Sequence, residues 1–161
     1  MLIFFISQTY TLLNAKSKIS FFLNATLHQV NGIANSIDSK IQYDSIYISG
    51  YVRVVSKSLK TGNGIRDAQM YRSIKADKYE YIEFFPDSLV KNAIFGKLKI
   101  SGIERYISVP INMKFENNFT FVSGEFKILL SDFQITRPKF GFIEVSDTVN
   151  ISFDLVYQKE Q

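Results

Sequence analysis

Residues 102–115 read "GIERYISVPINMKF", and the placement of their apolar side chains decides the fold. Ile103, Ile107, Val109, Ile111, Met113 and Phe115 all fall on one parity. Glu104, Tyr106, Ser108, Asn112 and Lys114 fall on the other. Strict alternation is the mark of a strand with one buried face, because successive side chains of extended backbone point to opposite sides. A run of this length is long for a sandwich, whose strands average about five or six residues. The stretch predicts a long antiparallel strand that curves with its sheet.

Working outward, the same period dominates from residue 17 onward. "SKISFFLNATL" carries Ile19, Phe21, Leu23, Ala25 and Leu27 on one face. In "NGIANSIDSKI", Ile33, Ile37 and Ile41 share a side with Asn35 and Ser39. "DSIYISGYVRVV" sets Ile46, Ile48, Gly50, Val52 and Val54 against Tyr47, Tyr51 and Arg53. Ile82 and Phe84 follow, then Ile94, Gly96, Leu98 and Ile100. On the far side, "FTFVSGEFKILL" shows Val122, Gly124, Phe126, Ile128 and Leu130. "FIEVSDTVNISFDLVY" closes with Ile143, Val145, Val149, Ile151, Phe153 and Leu155. Tight turns are expected at Gln42-Tyr43-Asp44 and Ser101-Gly102. Eight long strands with one apolar face each are best satisfied by closing on themselves, which removes both exposed edges. The expected fold is all-β, an eight-stranded antiparallel up-and-down barrel. Such a barrel can be filled by side chains or can hold one slender ligand.

The chain of 161 residues is one ordinary domain. Hydrophobic residues make up 46% and aromatics 15%, which requires a generous core or an apolar cavity. The net charge of +4 is spread along the chain without a basic run, so no nucleic-acid partner is expected. There is no cysteine, which excludes disulfides, thiol catalysis and cysteine-based metal sites. "MLIFFISQTYTLLNA", residues 1–15, reads either as an export segment ending near Ala15 or as a partly buried N-terminal arm. It is too short and too polar to span a bilayer, and no other segment approaches the required length, so no integral membrane segment is expected. Residues 16–161 are then a single barrel domain.

Within this chain of strands, "SLKTGNGIRDAQMYR", residues 58–72, breaks the alternation. A Thr-Gly-Asn-Gly turn precedes Ile65, Ala68, Gln69 and Tyr71 at helical spacing, which predicts one short helix. Arg66 and Asp67 are neighbours on it and point about a hundred degrees apart, so they cannot face each other as a catalytic pair. Gly50, Gly96 and Gly124 lie mid-strand on the inward parity. They read either as bends that let long strands coil or as volume left open along the axis.

The segment "SLKTGNGIRDAQM" resembles the Ser-Leu-x-Thr-Gly…Arg-Asp segment of the YceI-like polyisoprenoid-binding proteins. "GKLKISGIERYISVPINMKF" is similar to that family's strand–Gly–strand hairpin, "LLSDFQI" to its Ser-Asp-Phe signature, and "VSDTVNISFDLV" to its closing strand. The opening "SKISFF…NGIANSIDSKI" fits its first hairpin more loosely. The resemblance covers about residues 16–157, with its motifs in order. It implies a lipocalin-like barrel that encloses a long apolar lipid such as a polyisoprenoid, an isoprenoid quinone or a fatty amide. It also implies no enzyme activity, no cofactor beyond the bound lipid, and a periplasmic or secreted protein that is often dimeric; a cytoplasmic setting stays open. Three positions depart from the family: Leu130 stands where an arginine is common, Gln134 where a glycine is common, and Gln69 where a histidine is common.

On this reading the helix, from about Gly64 to Ser73, lies across one mouth with Ile65, Ala68 and Tyr71 facing in. Arg66 and Asp67 anchor it to strand ends or cap free backbone groups. The ligand wall is expected from Phe21, Leu23, Ile48, Val52, Ile65, Phe84, Leu98, Val109, Met113, Phe126, Ile128, Ile151 and Phe153. Other chemistry finds little support. His28 is the only histidine and has no visible partner for a triad or a metal site. Asp132 is expected to bond local backbone. "TGNGIRD" lacks the lysine and the preceding apolar strand end of a phosphate-binding loop. A filled barrel acting through its outer face is the alternative, and an enzyme using the lumen as its pocket the remote third. Tyr43, Tyr47 and Tyr51 fall opposite the inward parity, so an exposed row is expected there. Ordinary strand tyrosines account for it, and a homodimer interface is the alternative.

Overall fold

The computed structural model describes residues 6–140 and 143–161. In chain order the strands are β1 (Gln8–Leu12), β2 (Lys18–Asn24), β3 (Gln29–Ala34), β4 (Ile37–Tyr43), β5 (Ile48–Val55) and β6 (Leu59–Lys60). The helix α1 (Gly64–Ser73) follows, then β7 (Tyr81–Val90), β8 (Ala93–Ile100), β9 (Ile103–Pro110), β10 (Asn112–Glu116) and β11 (Phe119–Leu129). A small hairpin, β12 (Lys139–Phe140) and β13 (Ile143–Glu144), precedes the last strand, β14 (Thr148–Lys159).

Several of these are halves of one longer bent strand. β1 and β2 both run antiparallel to β14, interrupted by a 3-10 turn at Asn14–Lys16. β3 lies on β2 while β4 lies on β1. β5 pairs with β4, and β6, past a second 3-10 turn, pairs with β3. β9 and β10 are separated only by Ile111. Counted this way the wall has eight strands: β1–β2, β3–β4, β5–β6, β7, β8, β9–β10, β11 and β14. Each pairs with the next, through β5–β7, β7–β8, β8–β9 and β10–β11. β11 pairs with β14, which returns to β1 and β2. The ladder closes into an antiparallel up-and-down barrel.

The register separates two ends. Turns 44–47, 91–92 and 117–118 lie at one end together with the outer ends of β1 and β14; this is the hairpin end. Connections 25–28, 61–80, 101–102 and 130–147 lie at the other, the helix end. β14 has 12 residues, so at about 3.3 Å per residue and a tilt near 40° the barrel is about 30 Å tall.

Several side chains sit differently from the plain alternation. The first wall strand begins at Gln8, so part of the segment read as an export signal or arm is wall; residues 1–5 of it lie outside the described residues. Ile33 faces out, because β3 turns Val30, Gly32 and Ala34 inward and the phase shifts by one residue at Asn35–Ser36 before Ile37 and Ser39. A one-residue slip moves a whole strand's set to the other face. A second shift lies between Pro86 and Ser88 in β7, which runs on to Val90 and brings Leu89 inward. The expected turn at Gln42-Tyr43-Asp44 begins later, since β4 extends through Tyr43. Tyr43 follows Ile37, Ser39 and Ile41 toward the lumen, while Tyr47 sits in the turn and is 72% exposed. The three tyrosines therefore form no common row. Ile46 is exposed as well, lifted off the inward face by a turn in which the Asp44 carboxylate accepts from the backbone N–H of Ile46 (2.9 Å) and Tyr47 (2.7 Å). Those two bonds hold the Asp44 carboxyl below its ordinary range. Leu27, at the β2–β3 tip, is 84% exposed rather than inward.

Glycines mark where strands crowd. A Cβ on Gly50 would overlap the carbonyl oxygen of Lys40, and Gly50 also holds φ +112°, which L residues rarely adopt. A Cβ on Gly96 would overlap Phe85 O and one on Gly124 would overlap Pro110 O. These are sites of close backbone approach, not lumen space, and none of the three borders the cavity described below.

The packed core falls into two clusters. Ile74, Ile100, Ile128, Phe133, Ile135 and Val149 pack beneath α1, with Phe133 only 2% exposed. Leu12, Ala34, Ile37, Val54, Leu155 and Tyr157 form a second cluster within the wall.

Candidate functional site

The inward face does not fill the barrel. A cavity of about 560 Å³ runs from the helix end, where Asn63, Ile65, Arg66 and His28 border it, to the hairpin end, where Tyr43, Leu89 and Phe115 do. Pockets for small molecules span roughly 300–1,000 Å³. Every residue expected on the wall from the sequence borders this cavity, Ile65 included. The wall is overwhelmingly aliphatic and aromatic. Residues such as Phe21, Val52 and Ile151 are inward yet only half-buried, as they must be when they look onto unfilled space.

The sequence reading left out Tyr10 and Tyr157, which also border the cavity. Tyr157 simply continues the parity of Phe153 and Leu155, and Tyr10 shares one with Leu12. The signal was there, but Tyr10 fell inside the segment read as export signal or arm. Tyr157 is buried, and its hydroxyl donates to Ser39 Oγ (2.8 Å), which itself donates to Tyr51 O (2.7 Å). Burial pushes the Tyr157 phenol up to about 12, with the Ser39 bond pulling slightly the other way. The phenol is a neutral, satisfied group in an apolar wall.

α1 forms over the residues expected for it. Asn63 caps it, its side chain accepting from Arg66 N at 3.0 Å. Its inward face, however, is not the one the apolar spacing suggested. Arg66, Met70, Ser73 and Ile74 border the cavity and follow the i, i+4, i+7, i+8 stripe of one helical face. Ala68 is exposed, and Ile65 touches the mouth while 75% exposed. Polar bonds set this rotation. Asp67 is buried and accepts from Thr61 N (2.9 Å) and Thr61 Oγ1 (2.6 Å). Tyr71 packs against the core and donates to Leu59 O at 2.6 Å. Ser101 Oγ, in the β8–β9 turn, donates to Ile74 O at 2.6 Å. Asp67 thus ties the helix to the turn after β6. Among the described residues the Arg66 guanidinium makes no hydrogen bond or ion pair, and only its backbone N–H joins the cap at Asn63.

The three departures from the family pattern acquire positions. Leu130 borders the cavity. Gln134 holds φ +54° after a 3-10 turn, a left-handed conformation that suits glycine. Gln69 buries Oε1 without a partner among the described residues. Asp132 is exposed; the local backbone bond expected of it is made instead by Asp147, which accepts from Ser131 N (2.9 Å) and Ser131 Oγ (2.5 Å). His28 is exposed at the β2–β3 tip. Among the described residues no cluster of three or more His, Cys, Asp or Glu could hold a metal ion, and no helix is long and apolar enough to cross a membrane.

Comparison with solved structures finds the same barrel elsewhere. BcnA of Burkholderia cenocepacia superposes with a TM-score of 0.78 at 21% identity, over 90% of this chain and 98% of that one. A polyisoprenoid binding domain from Saccharophagus degradans implicated in plant cell wall breakdown gives 0.76 at 14% identity, over 94% and 98%. The YCEI protein of Campylobacter jejuni gives 0.68 at 21% identity, over 84% and 88%. No curated protein matches the sequence. The profile of the YceI-like domain matches residues 10–157, which is nearly the whole barrel, and the chain belongs to the YceI-like family.

Proposed function

We propose that this barrel binds one long apolar lipid chain in its lumen and releases it unchanged. The observation that carries this reading is the continuous apolar cavity of about 560 Å³ extending between the two ends. Liquid water takes about 30 Å³ per molecule, so a wet lumen would hold roughly 19 waters facing almost no hydrogen-bonding partners. A lipid tail replaces them favourably: about 500 Å² of buried apolar surface is worth on the order of 10 kcal/mol before association costs. A height of about 30 Å suits a polyisoprenoid, a quinone tail or a fatty amide. The inward groups are overwhelmingly aliphatic and aromatic, and the Thr61 hydroxyl at the mouth is engaged in holding Asp67 and the helix. Family membership supports a binding role and, with it, a periplasmic or secreted setting, which fractionation of cells expressing the full chain checks.

The test is native mass spectrometry of the purified protein beside Val52→Trp and Ile151→Trp, which fill the lumen from opposite sides. A co-purifying lipid that disappears in both variants, with their folds intact, supports the reading. A wild type free of lipid that also fails to take up added geranylgeraniol or oleyl alcohol overturns it.

A further inference from the structure

We propose that the hairpin end of the barrel docks on the surface of a lipid bilayer, so that the lumen faces the acyl layer directly. The docking stands on the surface itself; only its use, loading the lumen, rests on the reading of the cavity as a lipid site. Among the described residues eight large hydrophobic side chains are more than half exposed, and five of them stand at this one end: Ile6, Ile46, Tyr47, Val90 and Phe115. A single exposed apolar residue is ordinary, whereas a gathered set marks an interaction site. They come from four places around the rim. Ile6 precedes β1, Ile46 and Tyr47 lie in the β4–β5 turn, Val90 ends β7, and Phe115 is next to last in β10. Those segments are neighbours in the wall, β1 on β4, β5 on β7, and β8 on β9, which continues into β10. The set therefore surrounds the end of the cavity that Tyr43, Leu89 and Phe115 border.

Charge at this end selects the occupant. Lys91, Lys114 and Lys159 are exposed among the apolar tips. The acids beside them are each engaged. Asp44 accepts from two backbone N–H groups, Glu116 faces Lys114 at 3.8 Å, and Glu160 accepts from Thr11 Oγ1 and faces Lys40 at 3.5 Å. Lys91 and Lys159 make no ion pair among the described residues. Apolar tips fringed by such ammonium groups fit a bilayer surface. Acyl chains take the aliphatic groups, tyrosine sits at the headgroup level, and lysines reach the lipid phosphates. A protein fits less well, because the side chains stand on separate tips around an opening whose centre a rigid surface leaves unfilled. A second copy set mouth to mouth would oppose lysine to lysine. Fluid acyl chains fill the opening, and one of them can enter the lumen without crossing water. The helix end lacks the pattern: Leu27 and Ile65, its two strongly exposed apolar residues, sit among Thr26, His28, Asn63 and Arg66.

The experiment floats the full chain with vesicles of phosphatidylcholine, alone or mixed equally with phosphatidylglycerol, at low salt. The wild type is expected to float with both and to partition about tenfold more strongly onto the anionic vesicles. The triple variant Ile46→Ser, Tyr47→Ser, Val90→Ser is expected to lose about tenfold or more on both. None of those three side chains borders the cavity, so its uptake of geranylgeraniol from solution is expected to match the wild type. Lys91→Gln combined with Lys159→Gln should erase the anionic preference alone, and Leu27→Ser at the helix end should change nothing. A wild type that stays out of the floated fraction overturns the proposal, as does a triple variant that floats like the wild type. A dimer in sedimentation that the triple variant splits assigns the face to a second copy and overturns it too. Vesicle binding by a chain that takes up no geranylgeraniol upholds the docking face and fails the lipid reading of the cavity instead.

Discussion

At the hairpin end of the barrel, strands turn over in 44–47, 91–92 and 117–118, and little chain is spent outside the wall. At the helix end, 61–80 and 130–147 carry α1, a 3-10 turn and the β12–β13 hairpin, and they hold polar bonds reaching across strands. The hairpin end is closed by local turn chemistry, as in the Asp44 turn and in Lys91 and Asn117 at positive φ. The helix end is assembled from segments distant in sequence: Ser101 with Ile74, Ser56 with Tyr79, and Ala25 with Val145. At the hairpin end the three turns form as soon as neighbouring strands meet and only the β1–β14 seam waits for closure, whereas the helix end is built largely from contacts that exist only when the barrel does. A site that must open and reclose is better placed at the second, where local stability can be lower than that of the wall.

The sharpest way to break this contrast is to remove the hairpin end's contribution to closure. A chain lacking residues 1–15 loses β1, which joins β14 to β4. We expect loss of cooperative unfolding by circular dichroism; a truncated chain that melts like the full one would show β1 to be dispensable. Next in size are the crowded glycines. Gly96→Val and Gly124→Val place a Cβ against backbone of the neighbouring strand. Each should cost about 3 kcal/mol or more in denaturant titration, in contrast to Val52→Trp, which grows into empty lumen.

The third effect is a pH limb from Tyr157. Its folded pKa is raised to about 12 from 10.0, so the folded state keeps a proton that the unfolded chain gives up. The stabilisation is complete below about pH 10 and declines as pH rises toward 12, by about 2 to 3 kcal/mol. Tyr157→Phe should flatten that alkaline limb, and an unchanged slope would assign it elsewhere. The smallest effects sharpen the comparison at the helix end. Asp67→Ala removes both bonds to Thr61 and should cost about 1–2 kcal/mol, seen as faster hydrogen exchange in α1 with the wall unaffected. Ala68→Glu, on the exposed face, should stay within about 0.5 kcal/mol.

What could be read without coordinates follows the same division. Val109, Met113 and Phe126 keep strict period two because one face must be apolar, and the structure turns them toward the lumen. The alternation misleads at Ile33 and Ile46, where a one-residue phase shift and an Asx turn move side chains between faces without changing composition. It misleads most in α1. Apolar Ile65 and Ala68 are exposed, while polar Arg66 borders the cavity beside Met70 and Asp67 is buried, because the N–H and hydroxyl of Thr61 need Asp67 and the carbonyl of Leu59 takes the Tyr71 hydroxyl. Hydrophobic periodicity sees burial, not hydrogen-bond demand, and a ten-residue helix has too few apolar positions for burial to prevail. The cavity residues were legible for the same reason as the wall; the place of Arg66 on the inward stripe was not, since the helix's rotation is set only once its hydrogen-bonding neighbours are placed.

The outer ends of β1 and β14 lie side by side: Tyr10 is in register with Lys159, and Glu160 N donates to Thr9 O at 2.8 Å. The polypeptide therefore traces an almost complete circuit, and where that circuit is cut is a matter of genetics more than of mechanics. A gene rearranged to begin at Asn92 and finish at Lys91, with a short bridge across the present ends, keeps every strand's neighbours and reopens the loop at an exposed two-residue turn, the sort of site where such rearrangement is tolerated. Whatever follows Lys159 leaves the wall on the hairpin side, about thirty ångströms from the mouth that α1 covers.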